Sequence, residues 1–182
     1  MIPRMDRIVY FSLLLFFCTS AAFAQPYKKL TIDDFRGVPN GGNTGDVAFT
    51  YCSIEFSYKA KREDNYYLLT FNIKLVMNSD QSWMDKSKIG SHAAMVEILK
   101  HEQGHYNIAY MEQQELLRTV GRTVFHEDYQ RVANAIFDRI DAKYKQLNLD
   151  YDADTGNSTN RVQQQSWNDY FDRKLAYMPK EQ

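Results

Sequence analysis

The chain is poor in several things, and each shortage narrows what it can be. It has two cysteines, Cys18 and Cys52. Cys18 lies in the first two dozen residues, so a chain processed there keeps one thiol and can form no intramolecular disulfide. Cys52 sits in an apolar alternating stretch, where a thiol packs as a small hydrophobe. Neither sign of charge is in surplus: 22 Lys and Arg face 23 Asp and Glu, for a formal net charge of -1. With no global field, neither nucleic acid nor an anionic membrane is an expected partner. Long apolar runs are missing apart from residues 8–17, and that run is shorter than the roughly 20 residues a membrane helix needs. Internal repeats and low-complexity tracts are absent too.

The single apolar run has a context of its own. Arg4 and Arg7 precede it, and Ala22-Phe23-Ala24 follows with the small residues that signal peptidase accepts. Residues 1–24 are therefore expected to be a signal peptide, and 25–182 one domain with room for a sizeable core. Phe17, bulky where a lipid-attachment signal wants a small residue, speaks against an anchor on Cys18. The mature protein is expected to be exported, periplasmic or extracellular, with no stable membrane span. The full sequence has thirteen tyrosines and eleven phenylalanines, and those of the mature part are expected chiefly in the core.

Two periods divide the domain. Residues 47–58 alternate, with Phe49, Tyr51, Ile54, Phe56 and Tyr58 interleaved with Thr50, Ser53, Glu55 and Ser57, and residues 66–77 alternate through Leu69, Phe71, Ile73 and Leu75. Period two with aromatic and β-branched residues predicts two antiparallel strands, separated by the charged stretch 59–65. From Ser91, an N-cap residue type, apolar positions recur at three and four, which predicts a helix to about Thr119 with Gly121 behind it. A second helix is expected over 127–147, with Val132, Ile136, Ile140 and Tyr144 on one face. A polar loop is expected over 150–160 and a weaker helix over 162–177. Strands followed by helices define an α+β domain.

Inside the first long helix stands His101-Glu102-Gln103-Gly104-His105. Helical residues four apart stack on one face, so both imidazoles can grip one cation, and neutral imidazole suits zinc. The glutamate beside the first histidine is placed to take a proton from water at such a site. Gly104 is unusual, because glycine destabilises a helix interior by about 1 kcal/mol relative to alanine; a close approach of another group would explain it. Met111 stands where the metzincin continuation requires histidine, which excludes that class. Glu112 and Glu115 are expected to be solvated surface charges, and His92 and His126 ordinary polar residues. A catalytic zinc needs a third protein ligand. The polar stretch 151–158 is dense in oxygen donors and is the better place to look, although turns and caps use the same residues.

Further motifs accompany the pentad. Leu30-Thr31-Ile32-Asp33-Asp34-Phe35-Arg36-Gly37, Ser82-Trp83, residues 99–108 around the pentad, and Tyr151-Asp152, Asp154-Thr155, Ser158, Asn160, Gln164 and Trp167 together resemble a bacterial secreted family. That family is known as domain of unknown function 922 and is described as predicted secreted zinc-dependent proteases. The resemblance covers most of the mature chain. It implies a zincin-like fold, His101 and His105 as metal ligands and Glu102 as catalytic acid/base. Two residues after the threonine matched by Thr155 the family usually carries histidine, where this chain has Asn157. Amide oxygen is a feebler zinc ligand than imidazole, so the third ligand stays open among Asp152, Asp154 and Asn157. The expected function is an exported zinc-dependent hydrolase, a metallopeptidase acting on polypeptide or cell-envelope substrate. The alternative is an inactive zincin-fold envelope protein that serves as a binding module.

Overall fold

The computed structural model describes residues 26–39 and 46–178; the signal peptide expected over 1–24 lies outside the described residues. Two small antiparallel sheets and three helices make an α+β chain. In chain order the elements are β1 (Ala48–Phe49), β2 (Cys52–Arg62), β3 (Tyr67–Met77), β4 (Trp83–Met84), α1 (His92–Val120), α2 (Tyr129–Thr155) and α3 (Arg161–Leu175).

β2 and β3 form the expected hairpin, in register from Cys52 opposite Met77 to Arg62 opposite Tyr67. Along β2 the side chains of Cys52, Ile54, Phe56 and Tyr58 turn toward the helices while Ser53, Glu55 and Ser57 face water. The charged residues expected to separate the strands instead extend β2 to Arg62. Backbone pairing suffices there, because the side chains at the hairpin's tip stand in water and Lys61 pairs with Glu63. The tip is pinned where Tyr67 donates its N–H to the Phe125 carbonyl at 2.7 Å. A break at Thr50 and Tyr51 separates β2 from β1, which pairs with β4.

α1 starts where expected: the Ser91 hydroxyl accepts from the Ala94 N–H, and Gly121 follows its last turn. From His101 onward it is buried nearly all round, because α2, α3 and both long strands pack on it. Residues 27–30 run along it as well. Gln103 accepts from the Leu30 N–H at 2.6 Å and donates to the Lys28 carbonyl, and Tyr27 donates to Asn107. The segment Thr31 to Gly37 then docks on the turn before β4. Gly37 donates to the Ser82 carbonyl, and a Cβ there would meet the Asp80 and Ser82 carbonyls at 2.8 Å.

The largest departure from expectation is α2. It does not stop near residue 147 but runs to Thr155, so most of the expected loop 150–160 is helix. The turn chemistry of Asp, Asn and Thr is outweighed there by tertiary contacts, a routine override of weak propensities. Tyr151 and Thr155 are fully buried against α1. The helix ends at Gly156 in the left-handed region (φ 52°), which Asn157 and Ser158 continue (φ 48° and 77°).

Gly104 lets the helices meet. A Cβ at this position would lie 2.2 Å from the Tyr151 hydroxyl. Gly104→Ala is expected to destabilise the fold by about 1–3 kcal/mol through overpacking, against the roughly 1 kcal/mol that alanine gives a helix. Urea unfolding of the variant checks this, and an unchanged or raised midpoint would contradict the packing.

Candidate metal centre

One turn apart on α1, the His101 and His105 rings stand at 90° with Nε2 atoms 3.2 Å apart. Asp152, from the last turn of α2, brings Oδ1 within 3.3 Å of the first Nε2 and 3.2 Å of the second. Three donors thus form a nearly equilateral triangle. Tetrahedral zinc with ligand distances of 2.0–2.1 Å has donor–donor edges of about 3.3 Å, so the triangle has the dimensions of one face of that tetrahedron. Glu102 also lies near, its carboxylate and the two imidazoles having donor atoms within 4.8 Å of one another. The tighter set contains Asp152, and Glu102 is committed elsewhere.

Both rings are held from behind. Asn148, one turn before Asp152 on α2, presents Oδ1 at 2.8 Å from His105 Nδ1, and Gln164 of α3 presents Oε1 at 3.2 Å from His101 Nδ1. Amide oxygens only accept, so each Nδ1 carries the proton and each Nε2 offers its lone pair to the triangle. The Gln164 amide is itself oriented, because its nitrogen donates to the Tyr151 hydroxyl at 2.8 Å and to Asn168. Tyr151 donates in turn to the His101 carbonyl at 3.0 Å and stacks on the His101 ring, centroids 4.7 Å apart.

Glu102 is 3% exposed. Its Oε2 accepts a 2.6 Å hydrogen bond from Thr50, the residue at the break between β1 and β2. The break is fixed by Ser82, whose hydroxyl accepts from the Tyr51 N–H and donates to the Asn78 carbonyl. Cys52 lies close by; burial and then the Glu102 charge push its thiol up to about 12. It stays protonated, which removes it as a nucleophile.

The three candidates for the third ligand separate cleanly. Asp152 is brought to the imidazoles. Asp154 accepts from the Trp167 indole at 3.1 Å, and Asn157 donates to Asp46 at 3.2 Å. His126 faces the Asn65 carbonyl and His92 is exposed, as expected of ordinary polar residues. Glu112 was expected in solvent and is instead buried, at 9% exposure. Burial, with Asp141 nearby, pushes its carboxyl up to about 7 against the opposing charge of Lys145. Glu115, half-buried, is bonded to Lys143 and Tyr144. Thr50, Asn148 and the orienting part of Gln164 escaped sequence reasoning, because an amide or hydroxyl that serves a histidine leaves no local pattern.

A cleft of about 650 Å³ opens beside His105. One wall is the start of β2 and the residues just before it; the other is formed by α1 and α2.

Fold and site together define an α+β protein with a largely buried His-Glu-His cluster that could hold a metal ion. The chain belongs to the family described as a bacterial protein of unknown function (DUF922), whose profile matches residues 31–160. Gln164, which orients His101, lies beyond that span. No curated protein and no solved structure matches the chain.

The site titrates as a unit. Burial disfavours a charged His105, but its hydrogen bond to Asp152 and the charges of Glu102 and Asp152 prevail and push it from 6.5 up to about 9. Burial likewise opposes the Asp152 carboxylate, yet the two histidines hold it well below the usual range. The raised histidine stabilises the chelator-treated protein fully below pH 6.5 and loses that contribution as pH rises to about 9. The lowered carboxylate stabilises above its ordinary value near 3.8 and loses its contribution as pH falls below it. Chelator-treated protein is therefore expected to resist urea better at pH 5.5 than at pH 9.5. The difference should shrink in Asp152→Asn; a difference of the same size in that variant would remove the pair as its source.

Proposed function

We propose that this protein is an exported zinc-dependent hydrolase of the zincin type, acting on polypeptide, with His101, His105 and Asp152 as ligands and Glu102 as general base. The observation that carries the reading is the donor triangle, with edges of 3.2, 3.2 and 3.3 Å. What a zinc ion supplies when bound is acidification of water and polarisation of a carbonyl oxygen. The protein's own groups do the rest. Thr50 occupies Oε2 of Glu102, which leaves Oε1 to take a proton from the attacking water and return it to the leaving amine. Gln164 and Asn148 keep the Nε2 lone pairs directed at one point. The cleft beside His105 gives an extended chain room to lie along α1.

Asn157 favoured a non-catalytic module as long as a third donor was lacking. With the Asp152 carboxylate 3.2 and 3.3 Å from the imidazoles, a third donor is at hand and that reason loses its force.

Purified mature protein is expected to carry about one zinc per chain and to cleave unfolded polypeptide in a chelator-sensitive way. Glu102→Gln should keep the zinc and lose the cleavage. Asp152→Ala should weaken zinc binding by more than the 10–100-fold typical of groups that only support a ligand, while Asp154→Ala and Asn157→His leave it unchanged. Calorimetric titration with zinc measures the affinities. Undiminished binding in Asp152→Ala would remove the ligand assignment, and zinc-loaded protein that cleaves nothing would return the reading to a binding module.

A further inference from the structure

The cleft beside His105 ends at a group that the proposed chemistry does not use. Glu112 is seven residues beyond His105 on the same face of α1, about 10 Å along the helix, a distance that about three residues of extended chain would cover. Its side chain lines the cleft and is nine-tenths buried. Among the described residues it accepts no hydrogen bond and forms no ion pair. A carboxyl in such a place is destabilising unless something answers it, and an apolar residue would pack better against the neighbouring Ile108 and Phe137.

The surroundings say what would answer it. Asp141, from α2, lines the same end of the cleft, and among the described residues the cation paired with it is Lys145, which also lines the cleft, lies 2.8 Å from it and is largely in solvent. Lys145 bonds Asp141 and acts on Glu112 only through space, without pairing with it. Two carboxyl groups share one cation at this end, and a second positive group would favour the charged form of Glu112 that burial and Asp141 oppose. Among the described residues no third His, Cys, Asp or Glu joins Glu112 and Asp141 in a cluster, so an organic cation fits here and a metal ion does not.

We propose that this end of the cleft receives a lysine or arginine side chain of the polypeptide substrate, with Glu112 as its counter-ion and Asp141 beside it. The assignment rests on the polypeptide-hydrolase reading for the identity of the ligand. It makes Glu112 a specificity residue, remote from the bond that is cleaved and set apart from the donor triangle.

Binding can be read without turnover in the Glu102→Gln protein. Fluorescent peptides of neutral, unstructured sequence carry lysine or its near-isostere norleucine at successive positions, and anisotropy gives their affinities. At one position lysine is expected to bind about tenfold tighter or more, an advantage that weakens with salt. Adding Glu112→Gln should bring the two peptides to equal affinity, and Asp141→Asn should reduce the preference in a protein whose Glu112 is intact. Thermal melts identify any variant that fails to fold, and the Asp141 variant then decides. Equal affinities at every position, or a lysine preference that survives both substitutions, would overturn the proposal. Zinc content and cleavage by the parent protein report separately on the hydrolase: a chain that binds zinc and cleaves without discriminating between the peptides loses the cation site alone. A lysine preference in a chain that takes up no zinc keeps the cation site and removes the hydrolase.

Discussion

The site depends on how closely α2 can approach α1. At Gly104 there is no side chain to hold the helices apart, and the Tyr151 hydroxyl passes over that gap to the His101 carbonyl. That contact sets the last two turns of α2 against the motif. Helical spacing does the remainder, because Asn148, Tyr151, Asp152 and Thr155 fall at intervals of three and four on one face. A single approach thus delivers a donor to the triangle, a support for His105, and a ring that stacks on His101 and bonds Gln164. A side chain at position 104 would disturb all of these together.

The sheet side performs a different task. No strand residue touches the imidazoles through a hydrogen bond among the described residues; what the strands contribute is Thr50, held over Glu102 by a break in the alternation. Ser82, fully buried, supports that break through Tyr51, and the segment from Thr31 to Gly37 is bonded to the same turn. The two motifs that precede the pentad therefore converge on the orientation of one carboxylate. The division explains an α+β arrangement with such short sheets: helices place the nitrogen and oxygen donors, and irregular backbone places the hydroxyl that bonds the Glu102 carboxylate.

The pentad, its helix and the hairpin were legible because periodicity and spacing record them locally. Ser91 capped α1 as its residue type implies, and the alternation of Cys52, Ile54, Phe56 and Tyr58 gave the buried face of β2. The end of α2 was not legible. Residues 148–155 carry three aspartates, an asparagine and a threonine, which favour turns and caps when read alone; they are helical because Tyr151 and Thr155 are buried and Asn148 and Asp152 are bound to histidines. Those partners lie more than 40 residues away. The same distance hid Glu112, whose letter suits a solvated face and whose burial comes from α2 and β2 closing over it.

The choice of carboxylate at the third corner has an electrostatic consequence. Two neutral imidazoles and Asp152 carry one negative charge between them, and Glu102, buried beside them, adds a second. A buried Glu102 carboxylate beside a half-buried Asp152 is unfavourable without compensation. The protein by itself offers partial relief by protonating His105, which the raised value of about 9 reflects. That remedy spoils the donor set, because a protonated Nε2 has no lone pair to give. A divalent cation at the triangle would cancel both carboxylates and return the imidazole to its neutral form, whereas with histidine at the third corner the loaded site would keep a net positive charge. Asp152 therefore fits a site whose charge a divalent cation would balance, and such a cation would compete with the proton that Asp152 and Glu102 favour on His105.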